Sequence, residues 1–385
     1  MLTITLRIAR VVCISACLAA FARGSVAGDE PLQLALATTE SVAAAMPSDD
    51  ALWGELLPGV ESLLERTRGA LAAERRELAL LTFTYAFENV SAMSFVREHA
   101  SARADLAEFE KLWNASSAEF GAARSTELRA RSAAIRPALV RALAEAAVVK
   151  ADVLRNASLD YAKSTTPQSG LFYLGLAHAE RELLELCARL APSEAPPGEP
   201  SSAPSHAAGN AAGDGGAKSK VNTTANTPPV RSLRAELDRL DGALLALYHP
   251  PLSIERHAEF IAAAGTLEEA RELDDAGLFH GALLRFLQAE QRFAGLTDLS
   301  KTTAPELESS LTRFAQRRDE LAFDHTLALA FEQRAAESLA NGALDVAAMA
   351  TAALAPYLDV WAAPAVAAPA PRVDVVVTLV RWPYT

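Results

Sequence analysis

Residues 192–230, PSEAPPGEPSSAPSHAAGNAAGDGGAKSKVNTTANTPPV, limit the folds open to this chain more than any other stretch. Pro, Gly, Ser, Ala and Asn fill it, and large apolar side chains are almost absent. Such a segment buries too little surface to offset the entropy of ordering it, so it reads as a disordered linker. Folded structure must come from the stretches on either side. A shorter break, APAVAAPAP at 363–371, alternates Ala with Pro and favours an extended, semi-rigid spacer. The chain therefore divides into a leader (1–27), an N-terminal helical domain (28–191), the linker (192–230), a C-terminal helical domain (231–362), the spacer (363–371) and a terminal strand (372–385).

Both blocks carry helical periodicity. In DLAEFEKLWNASSAEF, Leu106, Phe109, Trp113, Ser116 and Phe120 recur at three- and four-residue steps. After Pro137, which a first helical turn tolerates, Leu139, Leu143, Ala147, Leu154 and Tyr161 run down one side of a second helix. SGLFYLGLAHAERELLELCARLA is a third, stopped by Pro192. Beyond the linker, Leu233, Leu237, Leu240, Leu244 and Leu247 form a heptad-like seam that Pro250 and Pro251 end. TLEE at 266–269 and TAPE at 303–306 match the capping box that opens a helix. Alanine is abundant, which favours helix. The expected class is all-α, a helical-hairpin array in two blocks, finished by a C-terminal β-strand.

That strand is RVDVVVTLVRW. Alternate side chains share a face, so Val373, Val375, Val377 and Leu379 make one wholly apolar face, and Trp382 ends the mixed one. Pro383 blocks continuation. A lone strand leaves its amides unpaired and must find an edge. The acceptor is either 31–39 of the same chain, a second copy, or the sheet edge of a different exported protein. The stiff spacer favours an external partner, and Val373, Val375, Val377, Leu379 and Trp382 are the candidate partner-binding residues.

The other end reads as a signal peptide. Arg7 and Arg10 precede an apolar run from Val11 to Ala22, too short to span a bilayer, and Ser25 and Ala27 sit at small-residue cleavage positions. The expected mature start is Gly28. Ile14-Ser15-Ala16-Cys17 resembles a bacterial lipobox, so Cys17 is a candidate lipidation site and the protein touches a membrane only if it is acylated. The formal net charge is −12, and removing 1–27 takes away Arg7, Arg10 and Arg23 and no acid. An acidic surface repels nucleic acid, which is not an expected partner. Cleavage leaves Cys187 as the one cysteine, set in a helical pattern as a small buried hydrophobe.

LEEARELDDAGLFHGALLRFLQAEQRF resembles part of a tetratricopeptide repeat. Gly277, Phe279, Ala282, Phe286 and Ala289 have that family's spacing. FYLGLAHAE at 172–180 and ANGALDVAAMATAAL at 340–354, with Gly342 and Ala347, are further echoes. The resemblance implies helical hairpins in which small residues seat one helix on the next and aromatics fill the groove. A search for chemistry finds little. His99, His178, His206, His249, His257, His280 and His325 fall in no metal-binding spacing. His178 and Glu182 share a helix face but read as a surface contact. There is no nucleophile elbow, P-loop or dinucleotide fingerprint. Asn89, Asn114, Asn156 and Asn222 head glycosylation sequons, which read as chance matches if the source is bacterial, as the leader suggests. No catalytic residue, cofactor or metal is expected. The expectation is an exported, periplasmic scaffold or interaction module with a protein partner. The alternatives are a lipid-anchored envelope protein and a ligand-binding or hydrolytic helical domain.

Overall fold

A computed structural model describes residues 30–47, 51–191, 232–248, 254–297, 299, 301–320 and 324–362. The described residues are all-helical: thirteen α-helices and two short 3₁₀ turns, with no strand. Residues 1–29, the linker, the 363–371 spacer and the C-terminal strand lie outside them. Before the linker come α1 (Glu30–Ala44), α2 (Ala51–Ala72), α3 (Arg76–Glu98), α4 (Leu106–Ala115), α5 (Ala122–Ala133), α6 (Ala138–Ser164) and α7 (Pro167–Leu190). After it come α8 (Arg234–Leu247), α9 (Ile254–Asp275), α10 (Phe279–Gly295), α11 (Ala304–Asp319), α12 (Thr326–Ala340) and α13 (Leu344–Ala362).

Hairpins α2/α3, α6/α7, α9/α10 and α12/α13 are the packing units, and α3 also lies along α7 and α10 along α13. The described helices on the two sides of the linker share one core. Phe83, Leu139 and Leu183 from the first stretch cluster with Leu237, Phe286, Phe331 and Leu358 from the second. Helix α10 packs on α6, and α12 packs on α3.

Three of the hairpins turn in the same way. At Glu74, Gly277 and Gly342 the backbone is left-handed, with φ of 57°, 73° and 74°. In each turn the next residue's amide reaches back five positions: Arg75 N to Ala70 O, Leu278 N to Leu273 O and Ala343 N to Ser338 O. The turn residue bonds three back, which completes the paired bonds of a Schellman motif. Glycine takes this conformation at little steric cost; Glu74 does not.

The turn also decides how the next helix begins. Arg75 and Leu278 are the last residues of their turns and the N-caps of α3 and α10, and neither side chain accepts a capping bond. Pro137, the N-cap of α6, caps nothing either. The missing acceptors come from across the linker. Gln333 Oε1 accepts from Leu78 N at 2.9 Å. Asp324 Oδ2 accepts from Ala138 N at 2.6 Å, and Thr326 Oγ1 from Leu139 N at 3.1 Å. Glu145 Oε2 accepts from Gly281 N at 2.8 Å. A Cβ on Gly281 would stand 2.9 Å from Glu145 Cβ and 3.0 Å from Ala146 N, so only glycine lets α10 start this close to α6.

Two local readings change in three dimensions. Thr266–Glu269 is no capping box: it lies inside α9, because 254–265 is already helical, and Thr266 Oγ1 turns back to Ala262 O at 2.8 Å. The run Leu106–Phe120 breaks at Ala115 into a 3₁₀ turn, Ser116–Ala118. By contrast Thr303 and Glu306 form a full capping box at the start of α11.

Two substitutions test this architecture by chemical denaturation. Glu74→Gly should raise unfolding free energy by about 0.5–1 kcal/mol, relief of left-handed strain outweighing the added freedom of the unfolded chain. Asp324→Ala orphans the first amides of both α6 and α12 and should lower it by about 1–3 kcal/mol; an unchanged midpoint would show that the cross-linker cap does not hold.

Candidate functional site

Helices α3 and α7 run side by side, and each presents a polar element on two sides. On one side lies a buried ionic cluster. Lys150 Nζ, from α6, sits 2.6 Å from Glu88 Oε2 of α3 and 2.5 Å from Glu180 Oε1 of α7. From the other half, Arg285 Nε of α10 approaches Glu269 Oε2 at 3.0 Å, and its Nη1 donates to Gln288 Oε1 at 2.9 Å. Gln288 Nε2 in turn donates to Tyr85 Oη at 2.6 Å. A void of about 10 Å³ remains between them, the room of a single water.

Burial sets the protonation of this cluster. Burial alone would push the Lys150 ammonium down, but the carboxylates of Glu180 and Glu88 overcome it and the net shift is upward. Glu180 is pushed up from 4.5 to about 7, first by burial and then by Glu88, with Lys150 pulling the other way. A carboxyl whose folded value is raised binds its proton more tightly in the native state. Its contribution is therefore most favourable below the unfolded value and is lost as pH climbs through the folded one.

On the other side, α1, α3 and α7 enclose a cleft of 160 Å³. Its α1 wall is apolar in effect: Thr38 and Thr39 donate their hydroxyls to Leu34 O and Ala35 O of their own helix and present methyls. Phe87, Val90 and Phe95 of α3 and Ala179 and Leu186 of α7 add apolar lining. Gly175 is part of it, and a Cβ there would lie 3.0 Å from the Ala92 backbone, so α7 approaches α3 closely at this point.

The rim of the cleft is polar and ordered. Ser94 Oγ donates to Glu98 Oε1 at 3.1 Å. Ser91, one turn earlier, lines the same cleft, and its hydroxyl favours the charged form of Glu182 from α7. Glu182 is open to water yet crowded, as a side chain within a concave wall is. Crowding raises its carboxyl above the ordinary value, Ser91 opposes this, Glu98 adds to it and Arg189 pulls down again. His178 is held between rings, stacked on Phe95 at 4.7 Å and edge-on to Phe120 at 5.2 Å. Burial lowers it to about 4, with His99, Arg181 and Arg155 adding to the effect, so it is neutral near neutrality. Its Nδ1 lies 3.3 Å from Glu119.

The two residues that share a helix face in the sequence, His178 and Glu182, thus both line the cleft. Ser94 and Glu98 carry no motif and Ser91 falls only in the Asn89 sequon; their three- and four-residue spacing along α3 was the only signal for a shared face. Of the hairpin residues, Gly277 is exposed in its turn, and Phe279, Ala282, Phe286 and Ala289 are buried along α10. Residues 172–180 lie within α7, and 340–354 span the Gly342 turn and the start of α13. Cys187 is fully buried, and burial pushes its thiol up to about 12. Val373, Val375, Val377, Leu379, Trp382 and Cys17 lie outside the described residues. Among the described residues no group of three or more His, Cys, Asp or Glu is placed to hold a metal ion, and no helix is long and apolar enough to cross a membrane. No protein-family model, curated protein or solved structure matches the chain.

Comparing wild type with Glu180→Gln across a pH series of denaturant unfolding isolates this one carboxyl. Relative to the variant, the wild type should lose stability as pH rises from about 4.5 to about 7. A gap that stays flat or widens in favour of the wild type would refute the assignment.

Proposed function

We propose that the protein is an exported scaffold of the bacterial envelope that engages a protein partner through its C-terminal strand, residues 372–385. The periplasm is the proposed location, with lipid anchoring at Cys17 as the alternative to cleavage after Ala27. The observation that carries the proposal is the strict alternation in RVDVVVTLV, which gives Val373, Val375, Val377 and Leu379 a common apolar face. The body supports it by the way it launches the tail. At the end of α13, Trp361 packs edge-on against Phe279 at 5.4 Å, and Tyr357 is fully buried one turn earlier. Helix α13 therefore ends at a fixed point beside the first turn of α10. A stiff spacer from a rigid anchor favours presentation to another protein over closure on the body. The partner sheet edge would supply the strand's missing main-chain bonds, and pockets for alternate side chains would supply selectivity.

Replacing Val375 and Val377 together with Asp charges the apolar face, whereas Thr378→Asp charges the other. The double change should abolish capture of the partner from envelope extracts and leave the melting temperature of the isolated protein unchanged, with Thr378→Asp close to wild type. A lower melting temperature in the isolated double variant would mean instead that the strand staples its own fold.

N-terminal sequencing of the exported protein should read Gly28 first. An acylated Cys17 at the start would move the protein to a membrane surface.

A further inference from the structure

The cleft between α1, α3 and α7 has the makings of a small-molecule site, and this goes beyond the role of the C-terminal strand. Its volume is 160 Å³. An apolar cavity of about 150 Å³ accommodates a benzene-sized body. The apolar wall and floor come from Thr38 and Thr39 methyls, Phe87, Val90 and Leu186. Two exposed carboxylates from different helices, Glu98 and Glu182, face the same concavity, and Ser94 of α3 holds Glu98. Arg189 is the cation of the lining, so the carboxylates leave the rim net negative. His178, uncharged near neutrality, adds no positive charge.

We propose that this cleft binds a small primary amine carried on an aryl or short alkyl body, the body in the apolar trough and the ammonium between Glu98 and Glu182. An ammonium offers three donors and no acceptor, which matches a rim of two carboxylates, one of them oriented by Ser94. Ser94 matters because it holds one acceptor, Glu98, in place before the ligand arrives. An anion of the same shape meets two like charges. A neutral alcohol keeps the apolar contact and loses the charge pairing. The cleft lies wholly within the first helical stretch, so the variants of the C-terminal strand leave it intact and the two proposals fail separately.

The test uses the full mature chain and three probes of one shape at neutral pH: benzylammonium, benzyl alcohol and benzoate. Calorimetry should show saturable one-site binding of benzylammonium, benzyl alcohol weaker by about tenfold and benzoate weaker still. Glu98→Gln combined with Glu182→Gln should bring benzylammonium down to the level of the alcohol and leave the alcohol unchanged. Thr38→Trp, a change at a half-buried position of α1, should fill the trough and remove all three. Absence of saturable benzylammonium binding at millimolar concentration, benzoate binding as tightly as the amine, or full retention by the double variant would each overturn the proposal. Should the double variant melt early, the ranking of the three probes on wild type and its loss in Thr38→Trp decide the matter.

Discussion

The architecture depends on helix N-termini that cannot cap themselves. The residue placed to cap α3 or α10 is already the last residue of a left-handed turn, and at α6 it is a proline. A first-turn amide left buried and unpaired costs about 1–3 kcal/mol, so each of these helices needs an acceptor from elsewhere. Gln333, Asp324, Thr326 and Glu145 supply them, and every one reaches over a sequence separation that includes the linker. The exchange runs both ways. The second stretch caps α3 and α6, and the first stretch caps α10. Neither stretch satisfies its own polar backbone without the other.

The buried charges follow from that interlock. To bring α10 onto α6 closely enough for Glu145 to reach Gly281, the neighbouring turns of α3, α6, α7 and α10 must also close on one another. Lys150 and Arg285 are thereby placed in the interior with Glu88 and Glu180. Such a cluster is weak evidence for stability, since desolvation consumes much of the attraction. Its stronger effect is on register: sliding α10 by one turn would strand Arg285 away from Glu269 of α9 and Gln288 away from Tyr85 of α3. Apolar packing alone tolerates such slips far better than a cluster in which each charge has one geometric solution.

The sequence was legible where structure is local. Periodicity located the helices, Gly277 marked a hairpin turn, and Thr303 with Glu306 announced a helix start. It misled where one pattern has two physical outcomes. Thr266 and Glu269 have cap spacing, but the apolar stretch before them was enough to carry α9 through. Glu74 makes the same turn as Gly277 and Gly342 without the residue that signals it. Composition drew a clear boundary along the chain at 192–230, but burial does not follow it. The caps join residues 136 to 255 positions apart, and no window-based reading can see them. The cleft was half visible: His178 and Glu182 share a face by spacing, whereas their serine and glutamate counterparts on α3 become a site only when α7 lies alongside.

The cleft has two kinds of wall, and the difference bears on how it can open. Helices α3 and α7 are fixed from behind by the ionic cluster and by the core that both halves share. Helix α1 is held by four buried residues, Leu32, Leu36, Thr39 and Ala43, by the Glu40–Arg68 pair to α2 and, just past its end, by Arg97 of α3 donating to Ala45 O at 3.1 Å, while on the cleft wall Thr38 and Thr39 spend their hydroxyls on their own backbone. Local opening draws on the elements with the fewest buried contacts, so α1 is the wall that yields first. A ligand body that fills the trough adds apolar contact to α1 and stabilises its docked position, so binding and the seating of α1 favour one another. The rigid side carries the carboxylates, where geometry matters most. The compliant side carries only methyls and aliphatic groups, whose contacts tolerate small displacement.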